Sequence, residues 1–373
     1  MFKPVLKSRF VSSLYVGGGT PTILPIEELL RLAELGGANK CFEANPATLK
    51  GTPGAEKLKA LVEKGVGRLS IGVQSFQDVL LRAIGRGIYT GAEAEESVRK
   101  AREAEFRTIN VDMMSDLPGQ TLASAEADLE TIIRLKPDSV TWYTMRTPAN
   151  CKLHRQAGEI PMRDSLIARI MIAEGLKQAG YRQTSGDRFC LSEESKDSFK
   201  SARSSVDLQM LGLGVSAYSH LGGGVFRNEI NTQKYIARIN DGDFAVATGR
   251  FYDMHEKIAA EFVLGLREGL ELSAIGINAI FGDQKLFAGM ESPSKLMHFL
   301  GYRRLVPRLI ENGLLELQEN CLQFTDKGRL FESEVLRMFY SPSVDAESRG
   351  KRVLGALKKF WLDFLMQPTI ARA

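Results

Sequence analysis

Gly17-Gly18-Gly19-Thr20-Pro21-Thr22 stands directly after the strand-like run Ser13-Leu14-Tyr15-Val16 and just ahead of a helix-like stretch, Ile26 to Leu35. Consecutive glycines carry a large backbone-entropy cost, and a chain keeps them where a side chain would obstruct something that approaches the main chain. Here they set bare N–H and C=O groups at the C-terminal end of a strand, which is where α/β sheets and barrels bind their ligands. Plain turn geometry accounts for a lone glycine turn equally well, so its meaning depends on the rest of the chain.

Beyond the turn, strand and helix patterns alternate. Strand-like runs cover Val11–Val16, Lys40–Ala44, Arg68–Val73, Thr108–Met113 and Ser139–Tyr143, and helical patterns cover Ile26–Leu35, Ala55–Glu63, Asp78–Ile84, Gly91–Glu105 and Leu122–Leu135. Thr90 followed by Glu93 fits a capping box, and Thr121 stands where an N-cap is wanted. Leu122, Ala125, Leu129, Ile132 and Ile133 form one face of a 3.6-residue period. Such alternation implies βαβ units and a parallel sheet. A further helix, Ser165–Gln178, leads to a strand-like Tyr181–Thr184, and the polar stretch Ser192–Ser205 reads as a long loop. Leu211 to Ser219 is apolar and glycine-punctuated, predicting a buried strand entering a tight turn. From about Phe251 the pattern becomes helical: His255–Leu266, Pro293–Phe299 and Tyr302–Asn312, then short strand-like runs Leu314–Leu317 and Cys321–Phe324, then Lys327–Met338. Helix, hairpin, helix outlines a winged-helix-like module.

With 373 residues, 44% of them hydrophobic and 25% charged, the chain has ample length to bury a core. Its net charge of +4 is too small to argue for nucleic acid. No apolar run is long enough to span a bilayer, and Met1 to Lys7 lacks a signal-peptide core, so a cytoplasmic protein is expected. Cys41, Cys151, Cys190 and Cys321 are scattered without metal-ligand spacing, and no metal site is expected from them. His154, His220, His255 and His298 show no ligand spacing either.

Polar residues recur at successive strand ends: Glu43 in Phe42-Glu43-Ala44-Asn45-Pro46, Gln74 in Val73-Gln74-Ser75-Phe76, and Asp112 in Ile109-Asn110-Val111-Asp112. In a parallel barrel these ends share one rim, so the three should converge with the glycine turn around a pocket, where carboxylates and amides bind hydroxyls or an ammonium group. Each taken singly is equally a helix cap or turn residue.

On these residues the chain resembles a family. Gly17-Gly18-Gly19-Thr20-Pro21-Thr22, Glu43-Ala44-Asn45-Pro46, Leu69 through Phe76, Asn110-Val111-Asp112 through Leu117-Pro118-Gly119-Gln120-Thr121, and Gly212 through Ala217 with Glu261 to Leu270 are similar to the oxygen-independent coproporphyrinogen III oxidase-like radical S-adenosylmethionine proteins. That group also holds heme chaperones and radical methyltransferases. The resemblance implies an α/β fold: a partial (β/α) barrel over residues 1–185, a barrel-closing and connecting segment over 186–250, and a mostly helical, winged-helix-like domain over 251–373. It implies that Gly18, Gly19 and Thr20 line the S-adenosylmethionine site and that Glu43, Gln74, Arg86 and Asp112 hold the one or two molecules bound there. Arg86 suits a fork to a carboxylate, or is a solvated helix-end arginine. Tyr218 falls near the second molecule, or in the core. A tetrapyrrole-like substrate or heme, and an electron donor, are the implied partners, and hydrogen abstraction followed by decarboxylation or methyl transfer is the implied chemistry. A heme chaperone or catalytically silent tetrapyrrole-binding member is the alternative.

Two departures stand out. The family's 4Fe–4S cluster is held by CxxxCxxC ahead of the glycine turn, and its unique iron binds S-adenosylmethionine for cleavage to a 5′-deoxyadenosyl radical. Only 16 residues precede Gly17 here and none is cysteine. The expectation is a chain shortened at its N-terminus and missing the first barrel strand, or a relative that has lost the chemistry; the intact downstream motifs favour the first. Asp116 also replaces the family's glycine before Leu117-Pro118-Gly119, and Trp142 to Pro148 departs from the oxidase. Finally, Val353, Leu354, Leu357, Phe360, Trp361, Phe364 and Leu365 form an apolar helical stripe flanked by Lys351, Arg352, Lys358 and Lys359. It docks on its own body or meets a membrane surface or partner.

Overall fold

The structure is a computed structural model that describes residues 11–145, 162–196, 209–221, 223–252, 254–271, 305–319 and 321–339. The chain divides into two compact units, Phe2–Ser201 and Ala202–Ala373, Met1 being grouped with the second. The stripe at 353–365, the stretch 293–299 and Cys151 lie outside the described residues.

In the first unit the alternating pattern produces β1 (Ser13–Val16), α1 (Ile26–Ala33), β2 (Asn39–Ala44), α2 (Gly51–Glu63), β3 (Arg68–Gln74), α3 (Asp78–Ala83), α4 (Gly91–Glu103), β4 (Thr108–Ser115), α5 (Leu122–Leu135), β5 (Ser139–Thr144), α6 (Met162–Gln178), β6 (Arg182–Ser185) and β7 (Arg188–Cys190). One seven-stranded sheet runs in the order β1-β2-β3-β4-β5-β7-β6. The first five strands pair in parallel and in chain order, and β7 and β6 close the far side antiparallel. Crossovers between parallel strands are right-handed, so an order that never reverses keeps every helix on one face. A doubly wound sheet would reverse and cover both. The result is a partial barrel.

The strand periodicity matches this one-sided cover. Leu69, Ile71 and Val73 of β3 and Ile109, Val111 and Met113 of β4 are fully buried and join Phe42, Leu58, Leu61, Ala94, Ile132 and Phe189 in the core beneath the helices. The alternate residues Arg68, Ser70, Gly72, Thr108, Asn110 and Asp112 point to the opposite, polar face. Both anticipated helix starts form: Thr90 and Glu93 close a capping box on α4, and Thr121 closes one with Ser124 on α5.

One buried carboxylate fastens the loop that leaves β3. Asp128 on α5 accepts from the Ser75 hydroxyl (2.7 Å), the Phe76 N–H (2.9 Å) and the Gln77 side-chain amide (3.1 Å). Gly91 lets the same loop pass closely, since a Cβ there would lie 1.9 Å from the Phe76 carbonyl oxygen. Burial pushes the Asp128 carboxyl up, against the three donors that favour its charge.

The second unit contains β8 (Tyr218–Leu221), β9 (Gly224–Asn228), α7 (Thr232–Asn240), β10 (Val246–Phe251), α8 (Met254–Glu268), β11 (Leu270–Glu271), a helical stretch over residues 305–311, β12 (Leu315–Gln318), β13 (Cys321–Phe324), α9 (Asp326–Leu330) and α10 (Glu332–Arg337). Its strands form two antiparallel sheets, β10-β9-β8 and β11-β13-β12. The β12–β13 hairpin between helices is the winged-helix-like outline. The strand expected over Leu211–Ser219 is different in fact. β8 begins only at Tyr218, and the run before it is a loop folded over its own sheet. A Cβ on Gly212 would lie 2.2 Å from the Tyr218 carbonyl oxygen, and the Asn228 amide donates to the Gly212 and Gly214 carbonyls at 3.1 and 2.9 Å. Side-chain amide bonds replace a strand ladder there. No helix of the described residues is long and apolar enough to cross a membrane.

Replacing Asp128 with Ala should leave three loop donors unsatisfied and cost about 3 kcal/mol in a denaturant titration. Because burial raises its carboxyl above the ordinary range of about 4, the folded state disfavours the ionised form. The stabilising contribution is therefore full at acid pH and is lost as pH climbs through the raised value. Melting temperature against pH should show this loss for the wild type and lack it for Asp128→Asn.

Candidate functional site

The polar face of the sheet ends, at the C-terminal rim of β1–β4, in the glycine turn. Its first glycine is required by a neighbouring side chain: a Cβ on Gly17 would lie 2.5 Å from the Glu43 carboxyl carbon. Gly18 has φ +91°, a region L side chains rarely enter, and nothing stands within 4 Å of a Cβ built on Gly18 or Gly19. The three glycines are exposed, and half-buried Thr20 leads into a short 3₁₀ turn, Pro21–Ile23, which its side chain does not cap.

Glu43, half-buried on β2, is held at both oxygens. The Tyr15 hydroxyl donates to Oε1 at 2.6 Å and the Gly18 N–H donates to Oε2 at 3.1 Å. Burial foremost, then Cys41 and Glu43, keeps the Tyr15 hydroxyl protonated far beyond the ordinary phenol range. Glu43 thus stitches β2 to the turn and leaves its remaining lone pairs on the rim.

Asp112 on β4 is held from below. Ser70 donates to Oδ2 at 3.1 Å and the Asn110 amide donates to Oδ1 at 2.8 Å. Asn110, 1% exposed, also donates to Ser70 at 2.9 Å and accepts from Ser139 at 2.9 Å and Thr141 at 3.2 Å. Both its N–H groups and both carbonyl lone pairs are therefore engaged across β3, β4 and β5. Arg68 continues the network, donating to the Ser139 hydroxyl at 2.9 Å and to the Ser195 carbonyl at 2.8 Å.

Gln74 ends β3 in the left-handed region, φ +69°, at a register shift between Gly72 and Gln74. The Tyr143 hydroxyl on β5 donates to its Oε1 at 2.8 Å, and its Nε2 lies over Gly72, 2.9 Å from where a Cβ would be. Burial first and the Asp112 charge second push the Tyr143 hydroxyl up to about 12, with Arg86 opposing them and Glu43 adding to the rise. Arg86, on the turn after α3, is half-buried; its charge acts on Tyr89 and Tyr143, and among the described residues its guanidinium makes no hydrogen bond or ion pair.

Gln74 thus accepts from the Tyr143 hydroxyl, the charges of Glu43, Arg86 and Asp112 act on that same hydroxyl, and Gly18 joins them through Glu43. Tyr218 stands on β8 of the second unit, 49% exposed with Arg227 5.1 Å over its ring. Tyr15, Tyr143, Asn110 and Ser70 hold the candidate residues in place and were missed by sequence reasoning; Arg68, at the start of β3, stands at the other end of the strand from the rim. The available signal was the run of polar residues at every second position of otherwise apolar strands, best seen in Ser70, Asn110 and Ser139-Val140-Thr141. Asp116, at the departure before Leu117-Pro118-Gly119, adopts φ +60°, and Ser165 donates to its carboxylate at 2.7 Å. A left-handed residue is where a glycine would sit without strain, and Asp tolerates it better than most.

The residues suit S-adenosylmethionine: a bare glycine cradle, carboxylates for an ammonium or hydroxyls, and an unpartnered guanidinium for a carboxylate. A 4Fe–4S cluster is not fitted by the described residues. Cys41 and Cys190 are buried, Cys321 belongs to the second unit, and no group of metal-ligating side chains assembles among the described residues.

Residues 5–132 match the Radical SAM superfamily. The chain is 29% identical over 354 residues to the heme chaperone HemW of Bacillus subtilis, an alignment covering 88% of this chain and 85% of that protein. It is 28% identical over 354 residues to the oxygen-independent coproporphyrinogen III oxidase of Bradyrhizobium diazoefficiens, covering 88% and 74%. The structure of coproporphyrinogen III oxidase from Escherichia coli, described as a radical SAM enzyme, superposes with a TM-score of 0.72 at 24% identity, over 89% of this chain and 78% of that one. That likeness is one of fold.

Asn110→Leu keeps the branched shape at slightly larger volume and removes the four hydrogen bonds. Leaving Ser70, Ser139, Thr141 and Asp112 without it should cost about 3 kcal/mol in thermal or denaturant unfolding. A loss below about 0.5 kcal/mol would mean water replaces the amide and the network is not rigid.

Proposed function

Since the chain belongs to the radical S-adenosylmethionine group that includes heme chaperones and oxygen-independent coproporphyrinogen III oxidases, we propose that it binds S-adenosylmethionine at the rim of the partial barrel and handles a tetrapyrrole-like molecule. The observation that carries this is the convergence of Glu43, Gln74, Arg86 and Asp112 beside the exposed Gly17–Gly19 turn. Gly18 and Gly19 let the ligand approach main-chain groups, and Thr20 adds a hydroxyl at the edge. Glu43 and Asp112 offer acceptors to ammonium or ribose hydroxyl groups, each already aimed by two protein donors. Arg86 supplies a bidentate fork for a carboxylate.

With a 4Fe–4S cluster, S-adenosylmethionine supplies hydrogen-abstracting radical chemistry, and decarboxylation or methyl transfer on the tetrapyrrole is the reaction class we assign to the group's enzymes. The described residues hold no thiolate set for that cluster, so no step of that chemistry is placed on them. The heme chaperone among the relatives supports a second reading, heme carriage. Tyr218 belongs to the proposal as a residue for a second bound molecule.

S-adenosylmethionine titrated calorimetrically into the chain should bind, and Gly18→Val and Glu43→Ala should each weaken it at least about tenfold. Absence of binding to the wild type overturns the reading. Heme titrated spectrophotometrically distinguishes the two uses: near-stoichiometric uptake without S-adenosylmethionine cleavage identifies carriage.

A further inference from the structure

Gln74, at φ +69°, occupies a left-handed conformation that residues other than glycine adopt only at a cost. Strain of this kind persists where the surroundings over-determine it, and it concentrates at ligand sites. The backbone on either side of Gln74 is fastened, by Tyr89 on the Val73 carbonyl and by Asp128 on Ser75 and Phe76, and its side chain is held by a polar contact from the next strand but one. The Tyr143 hydroxyl, protonated at neutral pH like any phenol, has one hydrogen to give and gives it to Oε1. A glutamine oxygen only accepts, so this bond fixes the amide's orientation: Oε1 toward β5 and Nε2 over Gly72. Among the described residues Nε2 has no acceptor. Arg86, likewise without a partner there, lies close enough for its charge to act on the same Tyr143 hydroxyl.

We propose that Tyr143 is a specificity-determining positioning residue: it turns the Gln74 amide so that the site presents N–H donors, and thereby selects a ligand oxygen that accepts, a carboxylate or hydroxyl. The proposal deepens the S-adenosylmethionine reading and rests on it for the identity of the ligand. A site built to donate rejects a ligand group that also donates, because the buried N–H pair is then left unmatched.

The test is a double-mutant cycle on S-adenosylmethionine affinity, joined to a measurement that needs no ligand. Tyr143→Phe should weaken binding about tenfold, the worth of one oriented hydrogen bond. Gln74→Glu keeps an oxygen for Tyr143 but replaces the donors with an acceptor and should weaken binding by about 100-fold. In a Gln74→Ala background Tyr143→Phe should change affinity less than about twofold, because nothing remains to be oriented. A purely structural tyrosine would cost the same factor in both backgrounds, which overturns the proposal, as does wild-type affinity in Tyr143→Phe. In protein with nitrogen-15 in its glutamine side chains, the Gln74 amide proton resonances should shift in Tyr143→Phe. Unchanged resonances also overturn it. Failure of the wild type to bind S-adenosylmethionine would instead remove the proposed function, while the resonances still decide the amide's orientation.

Discussion

One-handed winding governs the first unit. Five parallel strands laid side by side in chain order send every crossover helix to the same face, so the helices bury Leu69, Ile71, Val73, Ile109, Val111 and Met113 and can bury nothing on the other side. The face away from the helices is also buried at Ser70, Asn110, Ser139 and Thr141, and the chain satisfies these polar residues with hydrogen bonds to one another. Asn110, placed on the central strand with all four of its bonding positions engaged, is where that solution is most concentrated. The site residues inherit their order from it: Asp112 is aimed by Ser70 and Asn110, while Glu43 is aimed by Tyr15 and the turn it restrains.

This division explains which features were legible in the sequence. Apolar residues at strand and helix periods are local, so β1 to β5 and the helices between them follow from the residues, including the caps at Thr90 and Thr121. Glu43, Gln74 and Asp112 were legible because each stands at the end of a strand-like run. Tyr15 and Tyr143 were not, since an aromatic in a strand is ordinarily core, and only pairing across strands turns their hydroxyls toward Glu43 and Gln74. The Leu211–Ser219 run misled for a related reason. Its apolar, glycine-punctuated composition suits a buried strand, but the Asn228 side chain satisfies its carbonyls, a contact invisible to any local pattern.

Binding and radical chemistry separate cleanly in these residues. Glu43 and Asp112, each held by two protein donors, stand with the glycine turn on the rim, whereas Cys41 and Cys190, among the described residues, are enclosed within strands of the sheet. A group of proteins that includes both oxidases and heme chaperones is consistent with a scaffold whose recognition surface is independent of its redox centre.

The contact from Arg68 to the Ser195 carbonyl joins residues 127 positions apart, whereas β1 to β5 pair with strands one crossover away. Sheet pairing that follows chain order can accrete strand by strand, each addition closing a short loop of modest entropy. The Arg68 latch can close only once the chain has doubled back through β6 and β7. Interactions absent from the rate-limiting step act on the rate of opening and leave the rate of assembly almost untouched. A latch closed in that order ties β3, one of the strands that build the rim, to the far side of the sheet and would act on how fast the rim opens, not on how fast it is built.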